Sequence, residues 1–70
     1  MISDAEIKKK FGKRVKALRL EKGHTQLSAF HETGIHFGRI EQGKRDVSIT
    51  TIYKIAEYFN IPVSDLLKEF

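Results

Sequence analysis

Three histidines are the side chains best suited to metal binding or acid–base chemistry in this sequence, because imidazole titrates near neutral pH and ligates zinc. They are His24, His31 and His36. The pair His31-Glu32 begins like the His-Glu-x-x-His motif of zinc proteases, but position 35 is isoleucine, so the second ligand is missing. The sequence has no cysteine, no glycine-rich phosphate loop and no serine, histidine and acid at a recognisable catalytic spacing. We therefore expect no enzymatic activity, no metal and no cofactor.

Lysine and arginine side chains indicate a different chemistry, the binding of a polyanion. The chain carries 13 Lys and Arg against 9 Asp and Glu, a net charge of +4, and its pI is about 9.6. The excess lies in residues 1–22, which hold eight Lys and Arg against three acidic residues. Charge alone leaves two alternatives open, a nucleic-acid partner or a plain solvated helix face.

Length and hydropathy indicate one small globular domain that spans residues 1–70. Seventy residues lie near the lower limit for a core that folds unaided. No apolar stretch approaches the roughly 20 residues that a membrane span needs, and no signal-peptide pattern opens the sequence. We expect a cytoplasmic protein that does not associate with a membrane.

Capping residues and apolar spacing predict the elements that must position these side chains. Ser3 and Glu6 form a capping-box pattern, Thr25 and Ser48 are N-cap candidates, and Gly23 is a helix exit. Gly34 and Gly43 are further helix exits. Pro62 prevents continuation of the fourth helix, and Ser64 is the N-cap candidate of the last one. The predicted helices cover residues 4–22, 26–33, 36–42, 49–59 and 65–70, and no segment alternates with the period of a strand. The fold class is therefore all-α, a compact five-helix bundle.

Apolar residues of these helices are expected to face one core. The first helix contributes Ile7, Phe11, Val15 and Leu18, and the second contributes Leu27 and Phe30. The fourth helix has the widest apolar arc, formed by Ile49, Ile52, Tyr53, Ile55, Ala56 and Phe59. We expect the fourth helix to be the most buried element.

Four runs of sequence carry a family resemblance that covers roughly residues 11–68. They are FGKRVKALRLEKGHTQ at 11–26, RIEQGKRDVS at 39–48, IYKIA at 52–56 and FNIPV at 59–63. The chain resembles the DNA-binding domains of phage repressors and Cro proteins, the XRE type of helix-turn-helix. It is most similar in size to the controller proteins of restriction–modification systems. The resemblance implies a lambda-repressor-like bundle that binds double-stranded DNA and regulates transcription.

In this family the second helix crosses the DNA backbone and the third enters the major groove, which places the motif at about residues 25–43. The resemblance assigns DNA contact to Thr25, Gln26, His36, Phe37, Arg39, Lys44 and Arg45. Thr25 and Gln26 would hold a phosphate at the start of the second helix, and Arg39 would read a base edge. Arg19 and Glu41 match an arginine and a glutamate that pair between the first and third helices in the family.

The recognition segment departs from the family pattern in two ways. The interval from Gly34 to Glu41 is about three residues, nearly one helical turn, shorter than expected. Either the recognition helix is shortened, with Phe37 and Gly38 in place of polar readers, or residues are missing from the sequence as written. In addition, Phe30 occupies the position of a small alanine at the crossing of the second and third helices, so we expect those helices either to be pushed apart or to repack.

A patch at the end of the chain is the expected dimer interface. It consists of Tyr58, Ile61, Leu67 and Phe70. The alternative is that the last helix folds back and covers these residues.

We expect a dimeric, sequence-specific regulator, a repressor or autoregulator that binds a two-fold operator. The alternative function is a helical protein-interaction module, such as an antitoxin-like partner of another protein. The operator and any inducer stay open at this point.

Overall fold

A computed structural model describes residues 2–68, and five α-helices account for most of them. The helices are α1 (Asp4–Lys22), α2 (Gln26–Thr33), α3 (Phe37–Glu41), α4 (Ile49–Tyr58) and α5 (Val63–Leu66). Residues 2–68 contain no β-strand, and the all-α fold class is confirmed. None of the helices in this range is long and apolar enough to cross a membrane.

The predicted capping signals operate at three helix starts. Ser3 and Glu6 form a complete capping box at α1, and the hydroxyls of Thr25 and Ser48 accept backbone N–H groups at α2 and α4. Gly23 ends α1 with a φ of 79°, a left-handed conformation that a residue with a Cβ rarely adopts. These interactions span only three or four residues, which is why the sequence predicts them well.

The last helix starts earlier than predicted. Pro62, not Ser64, is its N-cap, and α5 is a single turn that ends at Leu66. The Pro62 carbonyl accepts the N–H groups of Asp65 and Leu66 at 3.0 and 3.1 Å. Proline fits this position because its φ of −69° lies close to the value its ring imposes. The predicted end of this helix, Phe70, lies outside the described residues.

The core is smaller than the apolar pattern predicts. It consists of Phe11, Val15, Ala29, Phe37, Ile40, Ile55, Ala56 and Leu66. Ile49 and Tyr53 of α4 are 71% and 60% exposed. Two of the ten residues of α4 are buried, against two of the five in α3, so the expectation that α4 is the most buried helix is wrong. Leu27 of α2 and Ile7 of α1 are also exposed. A bundle of short helices covers only one side of each, and the rest of a wide apolar arc then faces solvent.

Ala29, not Phe30, takes the buried position of α2. Ala29 is completely inaccessible, whereas Phe30 is half-buried and stacks on the His36 ring, with 4.7 Å between centroids and 26° between planes. The small Ala29 side chain is thus the buried one, and the phenyl ring packs on the residue that precedes α3.

Helices α1 and α3 approach each other very closely at Gly12. A Cβ built at this glycine would lie 2.6 Å from the Ile40 carbonyl oxygen and 3.1 Å from that of Glu41. Only glycine permits this approach without moving the backbone of α3. The short helix is thus held directly against α1.

Candidate nucleic-acid interface

The segment from Gly34 to Glu41 contains a continuous but short helix. Gly34 is left-handed with a φ of 74°, and α3 begins three residues later at Phe37. Phe37 is 1% exposed, and its ring meets Phe59 edge-on, with 6.1 Å between centroids. Its assignment to DNA contact is therefore corrected: a core side chain cannot reach a base edge. The helix in this segment, Phe37–Glu41, has five residues.

Arg39 is the exposed cation of this helix and lies between two surface depressions. A groove of about 600 Å³ between α2 and α3 is lined by Arg39, Gln26 and Leu27, among others. A smaller depression of about 180 Å³ is lined by Arg39, His36 and Arg45, among others. Besides Phe37, four of the residues assigned to DNA contact line these two depressions, namely Gln26, His36, Arg39 and Arg45, and both His36 and Arg39 line the two.

A buried ion pair fixes the back of α3. Arg19 of α1 donates from Nε to Glu41 Oε2 at 2.7 Å and from Nη2 to Glu41 Oε1 at 3.0 Å. The two side chains are only 8% and 4% exposed. Arg19 also donates from Nη1 to the His24 carbonyl at 2.8 Å. The hydrogen bonds to Glu41 raise the pKa of Arg19 above its already high usual value, so the guanidinium stays charged.

Gln26 links the start of α2 to the same pair. Its Nε2 donates to Glu41 Oε1 at 3.1 Å, and a Cβ built at Gly38 would lie 3.0 Å from its Oε1. The amide therefore spends one of its two N–H groups inside the protein, and only the other remains for the predicted phosphate. The network Arg19–Glu41–Gln26 joins α1, α3 and α2.

The remaining predicted contacts flank this centre. Thr25 is exposed, and its hydroxyl accepts the Ser28 N–H at 3.0 Å. The other N–H groups of the first turn of α2 have no acceptor within the helix, as at any helix start. Lys44 and Arg45 are exposed in the loop between α3 and α4. The positive end of α2 and the basic loop lie on either side of α3 in the chain.

Comparison with known families assigns the chain to one of them. A family model described as helix-turn-helix matches residues 15–66, about three-quarters of the chain. The chain belongs to the helix-turn-helix family. Its type is the XRE type, whose members bind double-stranded DNA and regulate transcription. This protein is accordingly a DNA-binding transcription regulator, and the alternative of a protein-interaction module is not favoured. No curated protein matches the chain.

Two further residues of the helix-turn-helix surface escaped the sequence reasoning. Lys16 of α1 and Gln42, the residue after α3, line the large groove together with Gln26 and Arg39. Gln42 follows Arg39 by three residues, a spacing that places both on one side of a helix and that could have revealed it. Lys16 carried no such signal, because its place depends on how α1 packs on α3.

The predicted dimer patch of the helix-turn-helix protein is partly covered. The Tyr58 hydroxyl contacts Nδ1 of His24, its ring packs on Phe37, and the Lys22 ammonium lies 4.9 Å above it. Burial, followed by the nearby Glu32 carboxylate, raises the pKa of Tyr58 above its usual value. The remaining described residues of the patch, Ile61 and Leu67, are half-buried against the core.

Proposed function

We propose that this protein is a repressor or autoregulator that binds a two-fold operator as a dimer, with one domain over residues 1–70 and its motif at 25–43. One observation carries the proposal. Arg39 is exposed at the junction of the two depressions, on a helix whose opposite side is fixed by the buried pair of Arg19 and Glu41. Sequence discrimination requires a base-contacting side chain on a helix that is held rigidly in place.

Each part of the surface has its own task in this proposal. The N–H groups at the start of α2 bind a backbone phosphate, and Lys44 and Arg45 release counterions from the neighbouring backbone. Arg39 reads a guanine through its O6 and N7 atoms. The phosphate contacts position the protein, while Arg39 and its neighbour Gln42 supply the sequence information.

The short helix limits how much sequence one chain can read. A good bidentate contact contributes about 1–3 kcal/mol of discrimination. Arg39 and Gln42 are the exposed polar side chains that α3 and its C-cap offer to this surface. A second copy related by a two-fold axis would double the number of bases read, with half-sites about 34 Å apart.

Accessible apolar surface supports a place for that second copy. Ile61 keeps partial exposure and lines a groove of about 410 Å³ together with Tyr53, which is 60% exposed. We propose that the two-fold contact includes Tyr53, Ile61 and Leu67. Compared with the patch predicted from the sequence, this contact includes Tyr53 and omits Tyr58, whose hydroxyl contacts His24.

Selection of binding sites from a pool of random duplexes tests DNA reading. The wild type should enrich a two-fold sequence, and Arg39→Ala should reduce discrimination between that site and random duplex by about 5- to 150-fold. Lys44→Ala is the matched control: it should weaken both duplexes equally, since a phosphate contact carries no sequence information. Undiminished discrimination by Arg39→Ala would remove Arg39 from the reading role.

Light scattering at micromolar concentration tests the dimer. The expected mass is about twice the 8.1 kDa of one chain, and Tyr53→Arg should return it to that of the monomer. Leu20→Arg is the matched control, because Leu20 is equally exposed at 59% but lies on α1, outside the groove. A wild-type mass of a single chain would overturn the dimer and leave DNA binding untouched.

A further inference from the structure

Three lysines of α1 form a row on one side of the helix. Lys9, Lys13 and Lys16 are spaced by four and three residues, which places them within about 60° of each other around the helix axis. All three are exposed. The distance along the axis from the first to the last is about 10 Å at the rise of an α-helix.

The lysine row runs alongside the helix that reads DNA. At one end, Lys16 lines the large groove together with Gln26 and Arg39. At the other end, Lys9 lies beside the exit of α3, since a Cβ built at Gly43 would lie 3.0 Å from the Lys9 Cα. The next residue of the chain there is Lys44. The row therefore connects the groove at α2 with the basic loop after α3.

The cations of the row differ from the other cations of α1 in their partners. Lys8 pairs with Asp46 at 3.7 Å, Arg14 donates to the Asp65 carbonyl at 2.9 Å, and Arg19 is bound to Glu41. Within residues 2–68, Lys9, Lys13 and Lys16 form no ion pair and no side-chain hydrogen bond. Three neighbouring positive charges without partners repel each other and attract a polyanion.

We propose that Lys9, Lys13 and Lys16 are a second phosphate-binding track, which holds the DNA backbone that flanks the site read by α3. The inference rests on the proposed function, because it takes the same duplex as its ligand. Three successive phosphates of one strand span two steps of about 3.4 Å along the duplex axis, or about 7 Å, and the long, flexible lysine side chains of a row of about 10 Å can reach them. Three additional phosphates would compensate the short reading helix with affinity that is independent of sequence.

The salt dependence of duplex binding tests the track. The variant Lys9→Gln/Lys13→Gln/Lys16→Gln is compared with the wild type between 50 and 200 mM salt, on the selected site and on random duplex. Loss of three phosphate contacts should reduce the slope of log K against log salt by about 2.7. The wild type would then lose about 40-fold more affinity than the variant over this range. Because backbone contacts carry no sequence information, the change should be the same on both duplexes.

A control with the same change in net charge separates a local track from general attraction. The variant Lys22→Gln/Ser64→Glu/Lys68→Gln lowers the net charge by the same three units, at exposed positions that line neither the large groove, nor the depression beside Arg39, nor the groove of Tyr53 and Ile61. Its slope should stay close to that of the wild type. Equal slopes for the two triple variants would overturn the track while leaving DNA binding intact. A wild type that binds no duplex at low salt would instead refute the proposed function itself. Circular dichroism checks that both variants are folded, which we expect because glutamine and lysine have similar helix propensities.

Discussion

Replacing Glu41 by alanine should destabilise the whole domain. The substitution removes two of the three acceptors of the Arg19 guanidinium, together with the acceptor of the Gln26 amide. Arg19 keeps a hydrogen bond to the His24 carbonyl at 2.8 Å, but its charge is left in a site where the side chain is 8% exposed. An unpaired buried charge is among the largest penalties a single substitution can cause.

The expected loss is a large part of the total stability. Breaking a buried ion pair costs about 3–5 kcal/mol. A chain of this length typically has about 3.5–10 kcal/mol of unfolding free energy, at roughly 0.05–0.15 kcal/mol per residue. Glu41→Ala should therefore be marginally folded or unfolded in buffer at 25 °C. A fully apolar replacement, Arg19→Met/Glu41→Leu, should be much less harmful, because it also removes the charge that would be stranded.

Urea unfolding followed by helical circular dichroism measures these effects. With a slope of about 1 kcal/mol per molar urea, as expected for a small domain, the midpoint of Glu41→Ala should fall by about 3 M or vanish. Glu21→Ala is the matched control, since Glu21 is an exposed glutamate of α1. If the midpoints of Glu41→Ala and Glu21→Ala were the same, the pair would contribute nothing to the fold, and the view that it fixes α3 would be refuted.

Three other predictions concern packing and pH. Gly12→Ala should lower the melting temperature, because the new Cβ would lie 2.6 Å from the Ile40 carbonyl oxygen. The expected overpacking cost is about 1–3 kcal/mol. A variant more stable than the wild type would show that α3 can move away from α1. Phe37→Ala should lower the free energy of unfolding in urea by about 3–5 kcal/mol. Leu27→Ala changes a residue that is 64% exposed and should alter this free energy by no more than about 0.5 kcal/mol. Equal losses for the two variants would contradict the described core. Burial raises the pKa of Tyr58 above its unfolded value of 10.0, so the folded state binds this proton more tightly and unfolding free energy should fall as the pH rises beyond about 10. Tyr58→Phe should remove that part of the decline in alkaline denaturant titrations. An unchanged pH profile for this variant would refute the effect of Tyr58.

Helix starts and ends were predictable because their interactions are local. The hydroxyl of Ser3 needs only the N–H of Glu6, three residues away, and Thr25 likewise needs only Ser28. The last helix was mispredicted because Pro62 and Ser64 are both acceptable start signals. The choice between them coincides with the complete burial of Leu66 in the core, a contact that the local sequence does not contain.

Which side of each helix is buried was less predictable. An apolar arc shows where a helix could be covered, but the number of neighbouring helices decides how much of the arc is covered. Phe11, Val15 and Ile55 are buried as expected, whereas Leu27, Ile49 and Tyr53 carry the same kind of side chain and face solvent. The exchange of roles between Ala29 and Phe30 is a further case, since α2 turns its smaller side chain to the core.

The DNA-binding surface divides in the same way. By itself the sequence determined the helices, the basic character of α1 and, through family resemblance, which residues to consider. Only the tertiary structure decided that Phe37 points into the core, that Gln26 is bound to Glu41 and that Lys16 lies beside the groove of Arg39. The physical reason is distance along the chain. The bonds that hold α3 join residues 15 and 22 positions apart, and such contacts exist only after the helices have packed.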